Sequence, residues 1–306
     1  MHSMMPKDVN TVTTTTPNKI PSKSPQKPAE TIGPSRTKTA ATVQRQQLTS
    51  AELDRPTPSQ LRPTLATIGR SLHDQIFNPW NLGFALGMPI VMYLMFGTGQ
   101  EHSLIEVGNG NIAATILVSM ALYGAIITSA AAGANISLER TQGWSRQMAL
   151  TPLKSSWYVV AKIIAGVLVA ALVVCLTFAV GFFTDARMQT PIWFSSALLI
   201  IAGTLITAAM GLAVGYWMRS DAAYGVMGGA TALMAFFSGM FFPLEQMADI
   251  FQTIAPYSPL YGINKLAQTP IYGHSFDSSA LLNALCWLAI FAILAVVGRN
   301  RDTARA

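Results

Sequence analysis

The sequence has 306 residues, of which 51% are hydrophobic and only 11% are charged, and its net charge is +6. Soluble domains carry about 25% charged residues, so the composition excludes an ordinary soluble domain. The basic residues sit at the ends of long apolar runs, which is the positive-inside pattern of membrane proteins rather than a nucleic-acid-binding surface.

Residues 1–58 are rich in Thr, Pro, Lys, Ser and Gln and include the run Thr13–Thr16. Such a segment cannot bury enough apolar surface to offset the entropy of ordering it. Its start also lacks the apolar core of a cleavable signal peptide. We therefore predict a disordered cytoplasmic tail over 1–58.

A helical pattern follows over residues 59–79. Arg62 and Arg70 fall off its apolar face, whose members recur every three or four residues: Leu61, Leu65, Ile68, Leu72 and Ile76. The segment is too short and too polar to span a bilayer. We predict an amphipathic helix in the cytoplasmic membrane interface, and the alternative is a soluble-type helix packed on another domain.

Residues 80–300 contain six apolar segments that meet or approach the roughly 20 residues needed to span a membrane. The first segment is short and contains Pro89, which membrane helices tolerate as a kink. We predict an all-α membrane domain with six spans, at 81–96, 112–136, 157–183, 192–218, 222–242 and 279–297.

Charged residues between these segments define a topology. Lys and Arg concentrate before the first span, between the second and third, after the fourth and after the sixth, whereas the other connections are mainly acidic. The positive-inside rule then places both termini in the cytoplasm, including the C-terminal residues 301–306.

Several kinds of chemistry are missing from the sequence. Lys162 is the exception among almost charge-free spans, and we expect it to snorkel to the cytoplasmic surface; ion-coupled transporters need buried ionisable groups. There is no phosphate-binding GxxxxGK[ST] loop, and Cys175, Cys286 and the four histidines form no metal-ligand motif. We predict no catalytic residue, metal site or cofactor in this chain, so uphill transport would need energy from another polypeptide.

The connection between the second and third spans is a charged, amphipathic segment that turns at Gly143. From the residues alone, docking into a partner's groove and a solvated positive-inside loop are equally favoured. The pattern E-R-x-x-G-x-x-R-x-x-x-x-T-P-L resembles the cytoplasmic loop of type-2 ABC transporter permeases. The pattern is carried by Glu139, Arg140, Gly143, Arg146, Thr151, Pro152 and Leu153. Trp144, beside Gly143, would either anchor the loop at the membrane interface or insert into the ATPase subunit.

The resemblance extends along residues 61–300, and drug-export permeases are the most similar members. Pro89 and the Phe96–Gly97 ending of the first span fit the family, whereas Ala248 stands where many relatives have proline. The stretch 238–268 resembles the family's outer re-entrant segment; on the residues alone, a capped extracellular loop is the alternative. This part of the likeness is carried by Ser238, Gly239, Phe242, Pro243, Pro259, Leu260 and Tyr261.

The resemblance implies a function that the residues alone do not give. Family permeases pair into a twelve-span dimer, here a homodimer or heterodimer, and two cytoplasmic ATPase subunits bind ATP and Mg²⁺. The helix before the first span corresponds to the family's elbow helix, with Arg70 or Arg62 as a partner for Glu139. On another interpretation, Glu139 is a surface carboxylate paired with Arg140 or with nothing.

The cargo implied by charge-free spans is a hydrophobic or amphipathic compound, such as a drug, an antibiotic or a lipid-like molecule, exported across the plasma membrane. Two other hypotheses remain open at this stage. One is a non-transporting immunity or sensor protein of the membrane, and the other is a permease of the same family that exports polysaccharide or a lipid-linked glycan.

Overall fold

The computed structural model describes residues 59–143, 150–151, 153–218, 222–273, 275 and 277–303. The predicted tail, 1–58, and the last three residues lie outside the described residues, as do Trp144, Arg146 and Pro152 of the connection between the second and third predicted spans.

The described residues are predominantly helical, with one two-stranded hairpin and 3-10 turns at Leu244–Gln246 and Ala255–Tyr257. In chain order the elements are α1 (Leu61–Ile76), α2 (Pro79–Phe96), β1 (Glu106–Val107), β2 (Gly110–Asn111), α3 (Ile112–Thr141), α4 (Ser155–Phe182), α5 (Thr190–Trp217), α6 (Ala222–Phe237), α7 (Asp249–Ile254), α8 (Tyr261–Tyr272) and α9 (Ser278–Thr303).

Four helices are long and apolar enough to cross a membrane: α3, α4, α5 and residues 278–301 of α9. The prediction of an all-α membrane protein is therefore confirmed. The apolar parts of α2 and α6 are shorter, at Leu82–Phe96 and Ala222–Phe237, so the count of six spans stays a prediction. The fifth predicted span, 222–242, is helical only to Phe237, because Gly239 turns the chain at a φ of +77°.

Helix α3 lies at the centre of the bundle and packs against α2, α4, α5, α6 and α8. The Asn111 side chain begins α3 by accepting a hydrogen bond from the Ala114 amide at 3.0 Å, as an N-cap residue does. Gly143, with a φ of +76°, follows the end of α3. Caps at both ends thus define the 30 residues of α3.

Small residues bring α3 and α5 into backbone contact. A Cβ atom added to Gly211 would lie 2.1 Å from the Ala130 carbonyl oxygen, and one added to Gly133 would lie 2.5 Å from the Leu212 nitrogen. No side chain fits at either position without separating the helices. The small-residue pattern therefore serves close helix packing, as in other membrane bundles.

The two ends of the bundle are easily distinguished. The hairpin, Glu106–Asn111, contacts the α4–α5 connection, where the Asn111 amide donates to the Arg187 carbonyl at 3.0 Å. At the start of α4, the Lys154 amide donates to Oε1 of Gln60, which precedes α1, at 2.9 Å. We call these the hairpin end and the α1 end.

Helix α1 turns a polar face, rather than its apolar one, toward the protein. Thr64, Ser71 and Gln75 are buried, whereas Leu61 and Leu65 are 66% and 57% exposed. A soluble-type helix packed on a domain would bury its leucines. In α1 these two leucines stay exposed while Ile68, Leu72 and Ile76 are half-buried, so the first part of the apolar face is left for another apolar environment.

Candidate functional site

A charged cluster lies at the α1 end, where α3 leaves the bundle and α4 enters it. Glu139 on α3 forms an ion pair with Lys162 on α4 and accepts a hydrogen bond from the Tyr158 hydroxyl. Only 5% of the Lys162 side chain and 22% of the Glu139 side chain are exposed. The prediction that Lys162 snorkels to the surface is therefore wrong, because a carboxylate on the neighbouring helix provides a buried partner.

Glu139 has an ion-pair partner that the sequence analysis did not offer. Lys162 makes the ion pair, while Arg70 and Asp74 on α1 are close enough to act on the carboxylate electrostatically. Helix α1 also packs along α4. Glu139 therefore lies where three helices meet, which fits a structural connection better than a freely solvated surface carboxylate.

Arg140 holds the same turn of α3 against α5. Its Nη1 donates to the carbonyls of Gly215 and Tyr216 at 3.1 and 2.8 Å, close to the end of α5. A cation at these carbonyls satisfies C-terminal acceptors and complements the helix dipole. Ser137 adds a bond to the Met218 carbonyl at 2.8 Å. Arg140 thus joins two helices rather than projecting from the loop.

The remaining described loop residues divide into anchors and surface groups. Leu153 is 9% exposed and packs with apolar residues that include Ile136 on α3 and Tyr216 on α5. Leu150 and Thr151 are exposed, Leu150 at 89%. Trp144, Arg146 and Pro152, which belong to the same loop, lie outside the described residues. The loop thus has an anchored base and an exposed part.

Helix α8 enters the bundle from the hairpin end. Its last turn is held there, because the backbone amide of Asn109 donates a hydrogen bond to the Ile271 carbonyl at 2.6 Å. Its first turn reaches Gly203, at the midpoint of the 28-residue α5, where an added Cβ would lie 2.2 Å from Ile263. That point lies about 20 Å from the hairpin end of α5 at about 1.5 Å per residue.

The structure separates the residues predicted for the outer segment into two groups. Ser238, Pro259 and Leu260 are buried, and the backbone carbonyl of Ser238 accepts a 3.0 Å hydrogen bond from the side-chain amide of Asn264. Tyr261 is half-buried, with Nζ of Lys265 5.7 Å from its ring centre. Gly239, at the end of α6, lies against Leu244, whereas Phe242 and Pro243 are exposed. The buried members lie around the first turn of α8.

Polar residues that the sequence analysis missed fix α8 in place. Nε2 of Gln268 donates to the Ser119 hydroxyl on α3 at 2.6 Å and to Oδ1 of Asn264 at 3.3 Å. The sequence did carry a signal, because Asn264 and Gln268 are four residues apart on one helical face. Two amides on one face of a short apolar helix indicate docking to polar partners.

An exposed ion pair joins α8 to the start of α9. Nζ of Lys265 lies 2.6 Å from Oδ2 of Asp277. Hydrogen bonds from Lys265 and then Ser279 hold the pKa of Asp277 below its usual range, and the bond to Asp277 raises the pKa of Lys265. Within the described ranges, no group of three or more His, Cys, Asp or Glu side chains could hold a metal ion.

Comparison with known proteins places this architecture in a family. The family model described as ABC-2 type transporter matches residues 64–272, more than two thirds of the chain. The chain is also 27% identical over 251 residues to a Bacillus subtilis (strain 168) protein named "Putative transport permease YvfS", covering 79% of this chain and 98% of that protein. This chain belongs to the ABC-2 type transporter family and is a multi-pass membrane transport subunit.

Proposed function

We propose that the chain is the permease subunit of an ATP-driven exporter, which moves a hydrophobic or amphipathic compound out of the cytoplasm or the inner leaflet. A separate ABC ATPase docks on the loop between α3 and α4 and supplies the energy. ATP and Mg²⁺ bind to that partner, and two copies of the chain form the translocation unit. Family membership supports a transport subunit, and the geometry at the α1 end supports the docking site.

The proposed orientation puts the α1 end in the cytoplasm. The basic residues of the sequence concentrate at this end, in α1, in the α3–α4 connection and in the last turns of α9, as the positive-inside rule requires. The exposed face of α1, with Leu61 and Leu65, then lies in the interfacial lipid, while Thr64 and Ser71 face the bundle. This arrangement suits an elbow helix in the membrane interface.

The anchoring of the α3–α4 loop is the observation that carries the proposal. Glu139 ties the end of α3 to α4, and Arg140 ties it to α5. The Lys154 backbone at the other end of the loop is bonded to Gln60 beside α1. A push delivered to either anchored end of the connection would therefore act on several helices at once. A mechanical link to an ATPase needs such connections.

The hairpin end suits a gate on the exit side. Helix α8 enters to the midpoint of the bundle and is held by bonds that a modest movement can break, such as the one from Gln268 to Ser119. Phe237 at the end of α6 and Phe251 on α7 stack with ring centres 5.7 Å apart. Apolar and aromatic surfaces along such a path favour a hydrophobic cargo.

Reconstitution tests the proposal. The chain is expressed with and without the ABC ATPase encoded beside it, placed in proteoliposomes, and assayed for ATP hydrolysis and for Hoechst 33342 movement. We expect a stable complex, ATP hydrolysis only with the ATPase present, and ATP-dependent accumulation of dye. The proposal fails if the chain alone hydrolyses ATP, moves dye down an ion gradient, or never associates with the ATPase.

A further inference from the structure

The connection between α7 and α8 interrupts the helix against α9, and its backbone groups need partners. This connection, Ala255–Gly262, includes a 3-10 turn and leads into the first turn of α8; we call it the gate turn. In lipid, an unsatisfied backbone N–H or C=O costs several kcal/mol, since no water is present to replace it. The side chains that form hydrogen bonds with the backbone of the gate turn therefore decide whether it stays in place.

Two side chains of α9 form hydrogen bonds with the backbone of the gate turn. Nδ2 of Asn283 donates to the Pro256 carbonyl at 2.7 Å, and Oδ1 of Asn283 accepts from the Gly262 amide at 3.2 Å. Nε1 of Trp287 donates to the Tyr257 carbonyl at 3.1 Å. One asparagine thus bridges the two ends of the turn, and a tryptophan one helical turn away holds its middle.

The packing leaves little freedom at this contact. A Cβ added to Gly262 would lie 2.4 Å from the Ala280 carbonyl and 2.7 Å from Oδ1 of Asn283. The backbone of α8 therefore approaches α9 as closely as two helices can. The Trp287 ring stacks on Phe291, with ring centres 5.3 Å apart, which fixes the direction of its N–H.

Asn283 lies in the second turn of α9, about 8 Å along the axis from Ser278 at about 1.5 Å per residue. Gly298, near the other end of α9, packs against Tyr216 and Trp217 at the last turn of α5. A polar side chain on an apolar membrane helix is expensive unless it is hydrogen-bonded, and such residues mark functional positions. Its neighbours Leu282 and Leu285 are 64% and 52% exposed, as expected of a helix surrounded by lipid.

We infer that Asn283 and Trp287 are positioning residues that hold the gate turn closed on α9. The inference rests on the proposed function, in which α8 belongs to an exit gate. Because all three bonds come from one helix, a movement of α9 away from α8 releases the turn at both ends together. The gate then opens by separation of α8 and α9 rather than by unfolding of α8.

Accessibility of Leu260 tests the inference without a known cargo. Leu260 lies in the gate turn and is 0% exposed. A Leu260→Cys reporter is placed in a background in which Cys175 and Cys286, both exposed, are changed to Ala. Its labelling rate with a membrane-impermeant maleimide, added from the outside of intact cells, reports gate opening. In the unmodified gate we expect slow labelling that rises when the co-expressed ATPase carries a substitution that lets it bind ATP without hydrolysing it.

Asn283→Ala should raise the labelling rate without nucleotide by about tenfold, equivalent to about 1.4 kcal/mol. Asn283→Asp keeps an acceptor for the Gly262 amide but loses the donor to Pro256, and should give an intermediate rate. Leu282→Ala, on the lipid-facing side of the same turn of α9, is the matched control and should leave the rate unchanged.

A second reporter separates gate opening from general loosening. Ile126→Cys on α3 is 0% exposed in the unmodified chain and should stay unlabelled in every variant. If Asn283→Ala does not yield folded protein, Trp287→Phe decides, since it removes only the N–H to Tyr257 and keeps the ring. Rates equal to those of Leu282→Ala, or equal labelling of both reporters, would overturn the inference. Failure of the ATPase to bind would instead reject the proposed function.

Discussion

Glu139→Gln is the most informative change at the α1 end, because it leaves the Lys162 ammonium without its carboxylate. That lysine is 5% exposed, so water cannot replace the lost partner. Removing one member of a buried ion pair costs about 3–5 kcal/mol. We expect a loss of stability in this range, measured by thermal unfolding of the chain in lipid nanodiscs.

The converse change, Lys162→Met, should cost less. Glu139 is 22% exposed, keeps the hydrogen bond from Tyr158 and still experiences the positive charge of Arg70. The double variant Glu139→Gln/Lys162→Met removes both charges, so its loss should be smaller than the sum of the single losses by about 2–3 kcal/mol.

Lys154→Met is the matched control, because Lys154 is an exposed cation whose link to Gln60 uses only its backbone amide. It should change stability by less than about 0.5 kcal/mol. Additive losses in the double variant, or a loss from Lys154→Met as large as that from Glu139→Gln, would refute the assignment of a buried, coupled pair.

Three further predictions use other parts of the bundle. Gly211→Ala should destabilise the chain by about 1–3 kcal/mol in thermal unfolding, whereas Gly225→Ala, with nothing within 4 Å, should not. Because the pKa of Asp277 is lowered in the folded chain, its ionised carboxylate stabilises the fold above the pKa of the unfolded state, and this stability is lost as the pH falls. Asp277→Asn should therefore flatten the acid limb of a pH–Tm profile. Leu65→Asp should weaken quenching of a fluorophore on α1 by brominated lipid, while Ala66→Asp, on the exposed side of α1 that carries Arg62 and Arg70, should leave quenching unchanged.

Much of the architecture could be predicted because hydropathy acts over whole helices. The long apolar runs fix α3, α4, α5 and α9, and the three-and-four spacing around Leu65 fixes α1. Lipid tolerates few alternatives to a helix, so composition nearly determines the element. The apolar parts of α2 and α6 are shorter than the roughly 20 residues that a membrane span needs, so hydropathy alone does not assign them as spans.

Partners across the bundle could not be predicted, because they depend on packing angles. The sequence predicts that Lys162 snorkels, because its position near the end of an apolar run does not reveal that Glu139 lies beside it on the neighbouring helix α3. Arg140 likewise belonged to a loop motif, although it caps α5. The partners of long polar side chains depend on how the helices pack in three dimensions, and sequence spacing does not reveal them.

The residues around the gate turn show the same limit at the other end of the bundle. The resemblance identifies Pro259 and Leu260, but Asn283 is a single polar residue in an apolar run, and the sequence alone gives it no role. Its role depends on the 3.2 Å bond to a backbone amide 21 positions away. An asparagine within a predicted span should therefore be examined for a broken backbone nearby.

The central claim is that a separate ATPase docks on the α3–α4 loop, and site-specific photo-crosslinking tests it most directly. A photo-reactive amino acid at Leu150, which is 89% exposed on that loop, is compared with one at Phe242, 53% exposed toward the hairpin end. The account predicts a crosslink to the co-expressed ATPase from Leu150 and none from Phe242. A crosslink from Phe242 without one from Leu150 would contradict it.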